Sequence, residues 1–183
     1  DGRPPLPTLG LGDRLGALRL LHEILRVAPG DLSAWLRLAE GFSALGHVKD
    51  ASEALRVVAL QLHEEGQHAE FRLVAERLLY HDASDSDVAR RLARSYLADG
   101  LIPQALPALR VACRAAPRDL ELLGVLRDAL VSLGHEARAA VVLKAMARLY
   151  ADTGLLAERD DCYDQILTLT PDDESVRQAM DPP

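Results

Sequence analysis

Large apolar residues recur along this chain at the spacing of an α-helix. Leu38 and Phe42 stand four residues apart, as do Leu92 and Tyr96, and this spacing places each pair on one helix face. The strong helix formers Ala, Leu and Arg dominate the composition, while aromatic residues make up only 4%. The pattern predicts an all-α fold.

The sequence repeats itself at an offset of 88 residues. "SALGHVKDA" ends at Ala51 and "VSLGHEARA" ends at Ala139. Asp31, Leu38 and Gly66 match Asp119, Leu126 and Gly154 at the same offset. We therefore predict two super-repeats of 88 residues.

Glycines that tend to end helices mark predicted turns within these super-repeats. They are Gly12, Gly46, Gly66, Gly100, Gly134 and Gly154. Their spacings are 34, 20, 34, 34 and 20 residues. A spacing of 20 leaves room for one helix only, so we expect single unbroken helices at residues 48–65 and 136–152, each shared by two neighbouring helix pairs.

The spacing of 34 and the residues around it resemble the tetratricopeptide repeat, an antiparallel helix pair. The matching positions are Trp35, Leu38, Ala39, Phe42, Gly46, Ala51 and Leu55 in one unit, Leu92, Ala93, Tyr96, Gly100, Ala105, Leu109 and Pro117 in another, and Leu123, Leu126, Leu130, Gly134, Ala139 and Leu143 in a third. The resemblance implies a right-handed α-solenoid of antiparallel helix pairs with about nine helices. We assign residues 1–12, rich in Pro and Gly, to a linker, residues 13–171 to the helical array, and residues 172–183 to a short C-terminal capping helix and tail.

The stretch "LHEEGQHAE" at residues 62–70 is close to the H-E-x-x-H signature of zinc peptidases. Its histidines, His63 and His68, are five residues apart, so an intact helix would point them in different directions. The second copy, "YADTGLLAE" at residues 150–158, lacks both histidines. We therefore interpret the stretch as a turn between helices and predict no metal site.

Charge and composition argue against several other functions. The net charge of −7 and the pI near 5.3 argue against nucleic-acid binding, and no apolar run is long enough for membrane insertion. Cys113 and Cys162 fall in predicted helices and are interpreted as reduced core thiols, which fits a cytoplasmic location. Because the chain begins with Asp1 and not with Met, we expect it to be a fragment or a processed product.

The sequence contains no set of residues with the types and spacing of a known catalytic site. There is no Gly-rich phosphate loop, and Asp160, Asp161 and Asp164 are interpreted as a solvated helix face. We expect no enzymatic activity and no cofactor.

The resemblance implies that the first helix of each pair lines a groove that holds a peptide or a partner protein. Residues expected to face this groove are Leu36, Glu40, Arg90, Arg94, Leu97, Asp128, Lys144 and Arg148. Arg90 and Arg94 repel each other at a spacing of four unless an acidic group lies above them. They could clamp a carboxylate of a ligand, or Asp87 and neighbouring helices could satisfy both.

We therefore predict a protein-interaction scaffold that binds another protein or an acidic peptide segment. The alternative is an intramolecular regulatory segment of a larger bacterial regulator or signalling protein. The sequence contains no signal for the oligomeric state.

Overall fold

A computed structural model describes residues 11–28 and 30–180 of the chain. These residues form helices and no strand. The helices are α1 (Leu11–Val27), α2 (Leu32–Ala44), α3 (Val48–Glu64), α4 (His68–His81), α5 (Ser86–Ala98), α6 (Ile102–Ala115), α7 (Leu120–Ser132), α8 (Glu136–Asp152), α9 (Leu156–Leu169) and α10 (Glu174–Met180). The prediction of an all-α fold is confirmed, with nine longer helices followed by the short α10.

Glycines with a left-handed backbone end five of these helices. The φ angles of Gly46, Gly66, Gly100, Gly134 and Gly154 lie between 69° and 77°. At Gly46, for example, the next backbone N–H, that of His47, donates to the carbonyl of Phe42 at 2.9 Å, which closes the last turn of α2 as in a Schellman motif. The five predicted turns are therefore present.

The first glycine of the predicted series does not form such a turn. Gly12 is the second residue of α1, since that helix begins at Leu11. The rest of the predicted linker, residues 1–10, lies outside the described residues. The prediction of a turn at Gly12 is wrong because Gly12 lies in the first turn of α1 and does not end a helix.

The two long helices serve two neighbours each, as predicted. α3 packs against both α2 and α4, and α8 packs against both α7 and α9. Ala59 and Ala147 lie in the middle of these helices and are almost completely buried. Each helix is unbroken over 17 residues, so the spacing of 20 between glycines corresponds to one shared helix.

The helices form two compact units, one ending at Ala83 and one beginning at Ser84. Within each unit, helices that follow each other in the chain pack side by side. In the first unit Leu38, Leu55 and Phe71 are almost inaccessible to solvent, and in the second unit Leu143 and Ile166 are equally buried. Each unit therefore has its own apolar core.

Candidate functional site

The eight predicted partner-binding residues are divided between the two units. Leu36 and Glu40 belong to α2 of the first unit, and the other six belong to the second unit. Arg90, Arg94 and Leu97 line one cleft, whereas Asp128, Lys144 and Arg148 lie outside it. We therefore describe the candidate surface of each unit by itself.

The first surface, which we name the Arg94 cleft, lies between α5 and α7 with α6 as its floor. Its lining residues are Arg90, Ala93, Arg94, Leu97, Leu109, Asp119, Glu121, Leu122 and Val125, and it encloses about 90 Å³. Leu97 and Val125 are partly buried. The cleft therefore combines an apolar wall with two guanidinium groups.

One of these guanidinium groups is already neutralised within the protein. Nη2 of Arg90 donates to Oδ2 of Asp119 at 2.8 Å. Asp87, the other acidic neighbour considered from the sequence, pairs instead with Arg91 at 3.3 Å. Arg90 is therefore paired with an acidic residue of the protein itself. This residue, Asp119, lies at the N-terminal end of α7.

The same carboxylate of Asp119 is also the N-cap of α7. Its Oδ1 accepts a hydrogen bond from the backbone N–H of Leu122 at 3.0 Å. This hydrogen bond, and secondarily the hydrogen bond from Arg90, lowers the pKa of Asp119 below its usual value. The carboxylate is thus held in its charged form by two donors.

Arg94 is in a different state, although it lies only one helical turn from Arg90. Its side chain is exposed and makes no hydrogen bond or ion pair with any described residue. Glu121 lines the α7 side of the same cleft and is also exposed. Arg94 therefore provides the unneutralised positive charge of the cleft.

The second surface, which we name the Leu36 groove, lies in the first unit between α2 and α4, over α3. Its lining residues are Leu32, Ser33, Leu36, Val58, Leu62, Glu70, Leu73, Val74 and Arg77, and its volume is about 420 Å³. Leu73 is 70% exposed. At the edge of the groove, Nη1 of Arg77 lies 3.3 Å from Oε1 of Glu40.

Sequence reasoning missed the α4 side of this groove. Leu73 and Arg77 are four residues apart and lie off the buried face of α4, which contains Phe71, Val74 and Leu78. A large apolar residue outside the buried stripe of an amphipathic helix is a signal that could have identified Leu73.

The three remaining predicted residues do not gather in either surface. Lys144 is engaged internally, because its Nζ lies 2.6 Å from Oδ2 of Asp173 and 2.9 Å from Oγ of Ser175. The hydrogen bond from Lys144 is the main reason why the pKa of Asp173 is lowered. Asp128 pairs with its neighbour Arg127 at 2.8 Å, and Arg148 is exposed on α8.

The histidines of the near-signature H-E-x-x-H are separated by the turn at Gly66. His63 lies in α3, with its ring centroid 5.0 Å from that of Phe71, and His68 begins α4. Within residues 11–28 and 30–180, no group of three or more His, Cys, Asp or Glu side chains is arranged to hold a metal ion. None of the helices described is long and apolar enough to cross a membrane.

Comparison with known proteins agrees with the repeat type. The tetratricopeptide repeat family model matches residues 9–75, so the predicted repeats are confirmed for this segment, which extends from α1 into α4. No curated protein sequence matches the chain.

Several solved structures are similar to this chain. YrrB, described as a TPR protein with an unusual peptide-binding site, is 14% identical, with a TM-score of 0.42 and with 89% of this chain and 98% of YrrB covered. A thermophilic TPR protein of Thermus thermophilus is 25% identical, with a TM-score of 0.36 and coverages of 91% and 96%. PilF of Pseudomonas aeruginosa is 16% identical, with a TM-score of 0.37 and coverages of 92% and 90%.

Proposed function

We propose that this protein is an interaction scaffold that binds an acidic segment of a partner protein in the Arg94 cleft. The observation that carries the proposal is the free guanidinium group of Arg94 beside a partly buried apolar wall. Arg90 is already neutralised by Asp119 at 2.8 Å, so Arg94 is the group available to an external carboxylate.

The chemistry of the cleft restricts the ligand. A guanidinium group binds a carboxylate through two parallel hydrogen bonds, and Leu97 and Val125 can contact an apolar side chain next to that carboxylate. Glu121 on the α7 side repels a second acid. The preferred segment therefore presents one carboxylate to α5 and an apolar or basic residue to α7.

The packed helices lower the entropy cost of such binding. Arg94 and Leu97 project from a helix whose opposite face, including Leu92 and Tyr96, is buried. A backbone that is already ordered loses little entropy when a partner binds. The Leu36 groove supports a second contact region, for an apolar side chain of the partner.

The proposal is tested by affinity capture from the source organism, quantified by mass spectrometry, with three baits. These are the parent chain, Arg94→Glu, and Arg37→Glu as a matched control in which an exposed arginine of α2 is reversed. We expect a partner that is captured by the parent and by Arg37→Glu but not by Arg94→Glu. Its purified form should bind Arg94→Glu at least about thirtyfold more weakly by calorimetry, which is the lower limit for an interface hot spot.

The three baits must have the same circular dichroism spectrum, which shows that the substitutions leave the helical fold intact. If every captured protein binds Arg94→Glu as tightly as it binds the parent, the assignment of the Arg94 cleft is wrong.

A further inference from the structure

A third concave surface lies in the second unit and shares no residue with the Arg94 cleft. We name it the Arg110 groove. Its lining residues are Arg110 of α6, Leu126 and Leu130 of α7, and Ala137, Arg138, Val141 and Val142 of α8, and its volume is about 480 Å³. It is therefore larger than the Arg94 cleft and is built on a different side of α6, which contributes Leu109 to one surface and Arg110 to the other.

The flanks of the Arg110 groove are basic. Arg110 and Arg138 are both exposed, and neither side chain makes a hydrogen bond or ion pair with a described residue. α6 contains no acidic residue and carries a further arginine, Arg114, one turn beyond Arg110. The nearest acid on α8 is Glu136 in its first turn. A locally positive surface on a chain of net charge −7 attracts acidic ligands selectively.

The centre of the groove is apolar and partly exposed. Val141 is 67% exposed and lies one turn after Arg138 on α8, while Leu126, Leu130 and Val142 form a buried floor. The exposed Val141 beside this buried floor offers an apolar surface that a partner's side chain can cover. The combination fits a ligand that carries both carboxylates and aliphatic side chains.

The first super-repeat shows that helix packing does not require these residues. At the 88-residue offset, His22, Asp50 and Glu53 stand where the second copy has Arg110, Arg138 and Val141. Asp50 pairs with His47 at 3.2 Å in that copy. The same helices therefore fold with acidic residues on this face, and the basic, apolar character belongs to the second copy alone.

The first super-repeat has a ring contact at the positions that match Leu130 and Arg110. Phe42 stands at the position of Leu130, and its ring packs edge-on against that of His22, the counterpart of Arg110, with 5.9 Å between centroids. His22 and Arg110 are both exposed, but Leu130 offers Arg110 no ring to pack against, so its guanidinium group stays available to a ligand.

We propose that the Arg110 groove is a docking site for an acidic, aliphatic segment of a partner protein. Carboxylates of the segment pair with Arg110 and Arg138, and a leucine or isoleucine side chain covers Val141. This surface is additional to the Arg94 cleft, so the chain can hold two acidic segments through two independent sets of residues.

The probe for this proposal is a fluorescein-labelled synthetic peptide composed of glutamate and leucine in an amphipathic order. The matched probe has every glutamate replaced by glutamine. We expect saturable binding of the acidic peptide to the full chain by fluorescence anisotropy, weakened by added salt, and at least about tenfold weaker binding of the glutamine peptide.

Variants assign the binding to the groove. Arg110→Gln with Arg138→Gln should weaken binding of the acidic peptide at least about tenfold. A second variant, Arg110→His with Arg138→Asp and Val141→Glu, introduces the residues of the first super-repeat and should abolish binding while retaining the fold. Arg19→Gln with Arg37→Gln removes the same charge from the first unit and should change binding less than about twofold.

The outcomes distinguish this site from the Arg94 cleft. If the Arg110 groove is the site, Arg94→Gln should weaken binding of the peptide much less than Arg110→Gln with Arg138→Gln does. Three results would each overturn the proposal. The first is that the acidic peptide shows no saturable binding, and the second is that the Arg19 and Arg37 control loses as much affinity as the groove variants. The third is that Arg94→Gln loses affinity for the peptide while the groove variants keep it. The last of these results would leave the function proposed for the Arg94 cleft intact.

Discussion

Arg90 and Asp119 join α5 to α7 through a single carboxylate. Nη2 of Arg90 lies 2.8 Å from Oδ2 of Asp119, while Oδ1 of the same group accepts from the N–H of Leu122 at 3.0 Å. The two arginines one turn apart on α5 consequently have different roles. Arg90 stabilises the α5–α7 wall of the cleft, and Arg94 keeps its charge available.

The Arg90–Asp119 pair should make stability depend on pH in acid. Asparagine can still cap α7 but cannot carry the negative charge, so Asp119→Asn should lower stability at neutral pH by about 1 kcal/mol, or about 3 °C in Tm. The folded-state pKa of Asp119 is lowered from 3.8. The stabilisation is therefore present above about pH 4 and is lost as the pH falls through the folded value, where the two Tm values should converge.

A matched control for this measurement is available at the same position of the first super-repeat. Asp31 caps α2 by accepting from the N–H of Ala34 at 3.0 Å, and it makes no ion pair with a described residue. Asp31→Asn should therefore change Tm less. An Asp119→Asn deficit that persists unchanged at about pH 3 would show that charge is not its cause.

Lys144 should stabilise the start of α10. Its Nζ bridges Oδ2 of Asp173 and Oγ of Ser175 at 2.6 Å and 2.9 Å, and both residues lie at the N-terminal end of that helix. Lys144→Met removes the bridge but keeps the aliphatic part of the side chain. Amide hydrogens of α10 should exchange about two- to fivefold faster, with α7 as the internal reference. Unchanged exchange would mean that burial of Val176 alone holds the helix.

Sequence patterns predicted the elements of this fold well because those patterns are local. The glycines at positions 46, 66, 134 and 154 each end a helix within a few residues, and the spacing of 20 directly limits α3 and α8 to one helix each. Neither inference needs any knowledge of which helices touch. The same is true of Ala59 and Ala147, whose burial follows from helical periodicity.

The pairing of side chains across helices was less accessible to sequence reasoning. Arg90 pairs with Asp119, 29 residues away, and Lys144 pairs with Asp173. Which polar groups meet depends on the axial register between packed helices, and periodicity along one helix does not fix that register. For the same reason the sequence identified Leu36 as a groove residue but not its neighbour across the groove, Leu73.

Both cysteine thiols should be unreactive in the folded protein. Burial is the main reason why the pKa of Cys113 rises to about 11, and it also raises the pKa of Cys162. Only the thiolate reacts with Ellman's reagent. At about pH 8 the native chain should release the chromophore very slowly, whereas the denatured chain should react fully. Rapid modification of one native thiol would contradict the buried positions of these residues.

Two glycines only ten positions apart should respond oppositely to alanine. Gly134 follows α7 with a φ of 69°, a conformation that costs an alanine about 1 kcal/mol or more. Gly124 lies inside α7, where an added Cβ would meet no atom within 4 Å. Gly124→Ala should therefore gain up to about 1 kcal/mol from helix propensity. The two Tm values should move apart by about 6 °C.

The matching position of the first super-repeat also indicates that Gly124→Ala is stabilising. Leu36 occupies the matching position in α2, so this place in the helix pair accepts a large side chain. Gly46 occupies the position that matches Gly134 and has the same left-handed backbone, with a φ of 77°. Gly46→Ala should therefore be destabilising to the same degree as Gly134→Ala. Thermal unfolding of the three single variants checks this pattern, and a stabilised Gly134→Ala or a destabilised Gly124→Ala would show that the turn or the helix interior is assigned wrongly.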